Sequence, residues 1–129
     1  FGLYSLAFSC MAYTPLCYSI KFFCLFIVKI IVDRPLGSHH PKHKDVIYSV
    51  NYGYVPGVIA PDGEEQDAYI LGVDEPVKEY IGIVIAIIHR IDDVEDKWIV
   101  TPKGMTFTKN EILDKIAFQE HFFKAEIIM

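Results

Sequence analysis

The chain has 129 residues, a length suited to one domain, and 52% of them are apolar, which supplies a core and excludes wholesale disorder. Its formal net charge of −5 argues against nucleic acid as a partner. Residues 1–29 hold only Lys21 and Lys29 as charged groups, so the acidity lies further along, with ten basic against seventeen acidic side chains. A body of that balance handles anions only through bound cations and a few placed lysines.

Phe1 to Ile20 carries no charge, and Phe22 to Val28 is apolar again. Pro15 interrupts the stretch and Lys21 divides it, leaving the second piece too short to span a bilayer. No positive charge precedes the apolar run as a signal peptide requires. Two readings stand, a membrane anchor and sequence foreign to the domain, so residues 1–28 are set apart from a domain at 29–129. Contact with a membrane is expected only through that segment. Cys10, Cys17 and Cys24 all fall within it, an odd number, and the body has none. No disulfide framework is implied, and a cytoplasmic location is expected.

Lys29 to Val32 reads as a short strand ended by Asp33, with Pro35 and Gly37 marking a turn. Ser38 to Asp45 is a polar loop rich in His and Lys. Val46 to Tyr54 mixes β-branched and aromatic residues and favours extended structure. Pro56-Gly57 and Pro61-Asp62-Gly63 are turn signals. Ala68 to Val73, Ile81 to Ile88 and Lys97 to Val100 read as further strands. Thr108 with Glu111 forms a capping-box pattern, and Ile112, Leu113, Ile116 and Ala117 then repeat at helical spacing, which predicts a helix to about Phe123. Strands first and one helix last predict a mainly β fold, a small barrel with a packed C-terminal helix.

Asp62, Glu64, Glu65 and Asp67 place four carboxylates within six positions, between apolar runs. A second cluster, Asp92, Asp93, Glu95 and Asp96, follows another apolar run. Each has an ordinary reading, a solvated turn or a charged hairpin tip. Their functional reading is a shared site for hard divalent cations, because magnesium takes oxygen ligands and keeps several waters. An EF-hand does not fit, since the alternating loop with its late Glu is missing. Glu95 and Lys97 lie two apart and project from one face, setting a metal ligand beside a cation. His39, His40 and His43 have no cysteine nearby, so zinc is disfavoured, while Lys42 and Lys44 suit phosphate as point charges. Lys124 near the helix end has a bland role opposite the helix dipole.

Tyr48, Asn51-Tyr52-Gly53-Tyr54 and Asp62-Gly63-Glu64-Glu65-Gln66-Asp67 resemble the core signature of the soluble family I inorganic pyrophosphatases, over roughly residues 29–129. Asp92, Glu95-x-Lys97 and Lys124 fall where that family places its remaining ligands. The resemblance implies an OB-like five-stranded β-barrel and Mg²⁺-dependent hydrolysis of pyrophosphate by a metal-activated water, with two or more ions. Asp62, Asp67, Asp92 and Glu95 would be metal ligands, with Asp96 the alternative to Glu95. Glu64 would take the proton of the attacking water, with Asp67 beside it as the bridging ligand. Lys42, Tyr48, Tyr52, Lys97 and Lys124 would hold phosphate oxygens. A homo-oligomer is implied as well.

Three departures accompany the match. Glu64 replaces an Asp. No Arg lies between Lys42 and Tyr48, where the family carries one, which leaves two alternatives, Arg90 as a substitute or loss of that contact. Phe123 replaces a Tyr before Lys124. They motivate an alternative, a non-catalytic relative that binds metal and a phosphorylated ligand.

Overall fold

The computed structural model describes residues 26–91 and 95–129. Most of the apolar segment 1–28 therefore lies outside the described residues, as do Asp92 and Asp93. Six strands and one helix follow in order: β1 (Ile27–Arg34), β2 (Asn51–Ile59), β3 (Glu65–Ile70), β4 (Glu79–Arg90), β5 (Asp96–Thr101), α1 (Lys109–Glu120) and β6 (Ala125–Ile128). Strand neighbours run β1-β2-β3-β5-β4, and β1 also pairs with β4, so five strands close into a barrel. The β3–β5 pair is parallel and the others are antiparallel. This is the OB-like five-stranded barrel that the resemblance implies, with the one C-terminal helix that the residue pattern predicts present among the described residues.

Closure depends on residues that turn opposite faces to two cores. Val28, Ile30, Val55, Ala68, Ile70 and Val100 form one buried cluster, to which the helix contributes nothing. Tyr48, Tyr52, Tyr69, Leu71, Ile88 and Ile99 belong to a second, which Ile112 and Ile116 of α1 complete. Successive strand side chains point to opposite faces, so Ala68 and Ile70 enter the barrel while Tyr69 meets the helix. Gly53 permits the tight β1–β2 crossing: a Cβ there would sit 1.9 Å from the Ile31 carbonyl oxygen.

Several boundaries depart from the sequence expectation. β2 starts at Asn51, not Val46. Residues 37–48 instead form a small hairpin, with Gly37 N–H on Tyr48 O (2.7 Å), Tyr48 N–H on Ser38 O (2.8 Å) and a bridge between His39 and Ile47. Pro56-Gly57 does not end the strand. The ladder shifts register between Val55 and Ile59, and this bulge absorbs a proline that cannot donate to it. The helix stops at Glu120, short of Phe123. Phe123 N–H closes a tight turn on Glu120 O (3.0 Å), and the chain then pairs with β4, Arg90 against Ala125. That edge strand, β6, was not expected; its four residues alternate burial too briefly to mark themselves. The buried face of α1 is Ile112, Ile116, Gln119 and Glu120, while Leu113 is exposed. The capping box is present, with Glu111 N–H on Thr108 Oγ1 (3.1 Å) and Thr108 N–H on Glu111 Oε1 (2.7 Å).

Candidate active site

A cavity of about 590 Å³ opens where β1, β3, β4 and β5 approach the end of α1, and Arg34, Tyr52, Asp67, Arg90, Glu95 and Lys97 line it. Lys97 is its centre. The side chain is 4% exposed, and its Nζ lies 2.6 Å from Asp67 Oδ2, 2.6 Å from Glu95 Oε1 and 2.9 Å from Tyr52 Oη. An ammonium has three protons to donate, and three acceptors surround this one. Burial of a charge is tolerable only with such pairing. The carboxylates are less enclosed, at 35% and 30% exposed, so each keeps an open side toward the cavity.

Neighbouring strands supply the other cations. Arg90, near the end of β4, donates from Nη1 to Glu95 (3.1 Å) and through Nε and Nη2 to Glu120 (3.0 and 2.6 Å), with its guanidinium 3.7 Å from the Phe123 ring centre. Burial works against that charge, yet the hydrogen bonds and charge of Glu120 outweigh it and hold the guanidinium above its usual range. Arg34 ends β1. The β1–β2 register shifts between Val32 and Arg34, and this bulge sets Arg34 opposite Tyr52. Its Nη1 donates to Tyr48 Oη (2.5 Å) and its guanidinium lies over both the Tyr48 and Tyr52 rings. Burial pushes the Tyr52 hydroxyl well above the ordinary tyrosine range, and the charge of Asp67 adds to the shift.

Among the residues expected from sequence, Tyr52, Asp67, Glu95 and Lys97 come together here. Glu95 rather than Asp96 faces the cavity, because Asp96 Oδ1 pairs with His89 Nδ1 (2.7 Å). Tyr48 is fully buried and outside the lining, its hydroxyl shared between Arg34 and Gln119. Asp62 and Glu64 stand on an exposed turn, where the Asp62 carboxylate accepts the Glu64 N–H (3.0 Å), and neither lines the cavity. Lys42 and Lys124 are exposed and also outside the lining. Asp92 lies outside the described residues.

Arg34 was missed, since only the bulge brings it opposite Tyr52 and to the cavity. Arg90, expected as a substitute, does line the cavity. His40 and His43 both line the cavity, their ring centres 5.0 Å apart, but His39 stays outside it with its Nδ1 on Lys44 O (2.6 Å), and His40 Nδ1 accepts the Lys42 and His43 N–H groups. Among the described residues, no group of three or more His, Cys, Asp and Glu side chains is set to hold a metal ion. Asp67 and Glu95 are nevertheless two hard oxygen donors on one cavity, the type and number that a water-keeping magnesium takes from protein. No helix among the described residues is long and apolar enough to cross a membrane.

Among the described residues, a closed mixed barrel with one helix and an acidic–basic cavity at its side defines the class of fold. Solved structures similar to it include several inorganic pyrophosphatases. The enzyme from Ehrlichia chaffeensis superposes with a TM-score of 0.60 at 14% identity, covering 78% of this chain and 83% of that one. That from Coxiella burnetii gives 0.59 at 15%, with the same coverages. One from Neisseria gonorrhoeae gives 0.55 at 20%, over 74% and 73%. The chain therefore has the inorganic pyrophosphatase fold. No protein-family model matches it, and no curated protein matches it in sequence.

Proposed function

We propose that the chain hydrolyses inorganic pyrophosphate to two phosphates with Mg²⁺. The observation that carries this reading is the buried Lys97 held between Asp67, Glu95 and Tyr52, in a cavity that Arg34 and Arg90 also line. Hydrolysis breaks one bridging P–O bond; the hydroxyl of water joins one phosphorus and a proton reaches the departing phosphate. Phosphoryl transfer needs positioning and charge neutralisation more than covalent chemistry. Asp67 and Glu95 would hold magnesium, whose charge neutralises phosphate oxygens and acidifies water. Arg34 would orient the anion, and Lys97, its three protons held by Asp67, Glu95 and Tyr52, would supply positive charge beside it. Asp62 and Glu64 take part only if the turn they occupy reaches the cavity. A cytoplasmic location and a homo-oligomeric state belong to the same proposal.

The test is phosphate release from pyrophosphate with Mg²⁺, compared with an Asp67→Asn variant. Equal rates in the two would reject this site. A second reading, binding of a phosphorylated ligand without turnover, is favoured by one observation: Asp67 and Glu95, the carboxylates assigned to the metal, are both already engaged by Lys97. Calorimetry that finds Mg²⁺-dependent pyrophosphate binding with no phosphate released would select it.

A further inference from the structure

Arg34 and Arg90 stand at the two ends of one buried chain of hydrogen bonds. Arg34 Nη1 donates to Tyr48 Oη (2.5 Å), and Tyr48 donates to Gln119 Oε1 (2.6 Å). Gln119 Nε2 donates to Tyr69 Oη (2.7 Å), and Tyr69 donates to Glu120 Oε2 (2.6 Å). Arg90 Nη2 closes the far end on that same oxygen (2.6 Å).

The ends dictate the sense of every link. A guanidinium only donates and a carboxylate only accepts. Tyr48, which accepts from Arg34, must direct its single proton to an acceptor. Tyr69, which gives its proton to Glu120, must receive an N–H. The side chain between them needs a carbonyl on one side and an amino group on the other, and glutamine provides both. A glutamate offers only acceptors and an apolar residue offers neither. Gln119 and Glu120 are also both buried on the last turn of a helix whose other buried residues are Ile112 and Ile116. Two adjacent buried polar side chains are unfavourable unless fully hydrogen-bonded, and these are.

We propose that Gln119 is a positioning residue for anion binding: acting through Tyr48, it aims Arg34 into the cavity, and Tyr69 with Glu120 fixes its orientation. Tyr48 then serves the anion through Arg34, because its own proton points to Gln119. The proposal rests on the pyrophosphatase reading only in taking pyrophosphate as the anion.

The full chain is titrated with inorganic phosphate and assayed with pyrophosphate and Mg²⁺. Gln119→Met keeps the volume and removes both bonds. It is expected to raise the phosphate Kd and the pyrophosphate KM about tenfold, the scale of one lost charge-assisted hydrogen bond, with kcat within about twofold. In an Arg34→Met background the same change should alter neither constant, because the residues act in series. An equal effect of Gln119→Met with and without Arg34 would overturn the proposal and leave packing, or direct contact of Gln119 with the anion from its own place in the cavity lining. Should Gln119→Met fail to fold, Tyr69→Phe removes only a hydroxyl and enters the same cycle; a weakening of about threefold that vanishes without Arg34 is expected, and one independent of Arg34 overturns the proposal. The expected pattern in phosphate binding without pyrophosphate turnover refutes hydrolysis but retains the positioning role. Turnover without the pattern refutes the positioning role alone. Binding of neither anion overturns both.

Discussion

Two carboxylate-rich stretches of this chain look alike in composition and end up in opposite situations. The turn before β3 carries Asp62 and Glu64 in water, satisfied by its own backbone: Ala60 N–H reaches Glu64 O (2.7 Å) and Gly63 N–H reaches Ala60 O (2.9 Å). The stretch leading into β5 places Glu95 against a buried ammonium that also holds Asp67 from β3. Density of charge in sequence does not distinguish them. Convergence with a cation from another strand does, because only a desolvated pairing makes the interaction strong.

The sharpest way to break that comparison is Lys97→Met. Removing the ammonium leaves Asp67 and Glu95 without their shared partner. A loss of about 1–3 kcal/mol in unfolding free energy is expected from denaturant titration, less than for a fully buried pair because both carboxylates keep a side open to water, along with loss of measurable phosphate release. A variant as stable as the parent would mean that the pair is not desolvated. Next comes the direct contrast between the stretches. Asp67→Asn should lower kcat/KM about a hundredfold or more, the scale of removing one charge-stabilising group, and Asp62→Asn less than about tenfold. Equal losses would show that the turn before β3 reaches the cavity during turnover.

A smaller effect concerns the hairpin of residues 37–48. Burial, followed by the charge of Arg34, lowers the His40 pKa, and its Nδ1 accepts two backbone N–H groups. A histidine with a depressed folded pKa contributes stability above its unfolded value, near 6.5, and loses it as pH falls through the folded one. Hydrogen exchange at the Lys42 and His43 amides, corrected for intrinsic rates, should therefore accelerate on acidification; protection that does not change with pH would refute the role of Nδ1. The smallest change is Thr108→Ala at the helix cap. It should cost about 1 kcal/mol in denaturant titration and leave phosphate release unchanged, since the cap lies away from the cavity.

The capping box was legible because it is local, a side chain and a backbone group three residues apart. So were the cores of β3, β4 and β5, where apolar runs leave little choice. The Glu95–Lys97 pairing followed from strand alternation. Arg34 was not legible, because its approach to Tyr52 depends on a bulge whose register two separate strands must set. Gln119 and Glu120 were invisible for a related reason: glutamine and glutamate at the end of a helix read as solvent-facing until their partners on other strands are known. The stop at Glu120 was missed because pairing of β6 with β4 competes with continuing the helix, and no Gly or Pro announces it.

By itself the sequence determined the class of fold and the stock of groups able to meet a phosphate anion, since both follow from short-range pattern and residue chemistry. Which carboxylates share a cation, which arginines face the cavity and which polar side chains are buried behind them was decided only by closure of the barrel. The reason is physical: a charge acquires its strength from loss of water, and water is excluded only where distant segments meet.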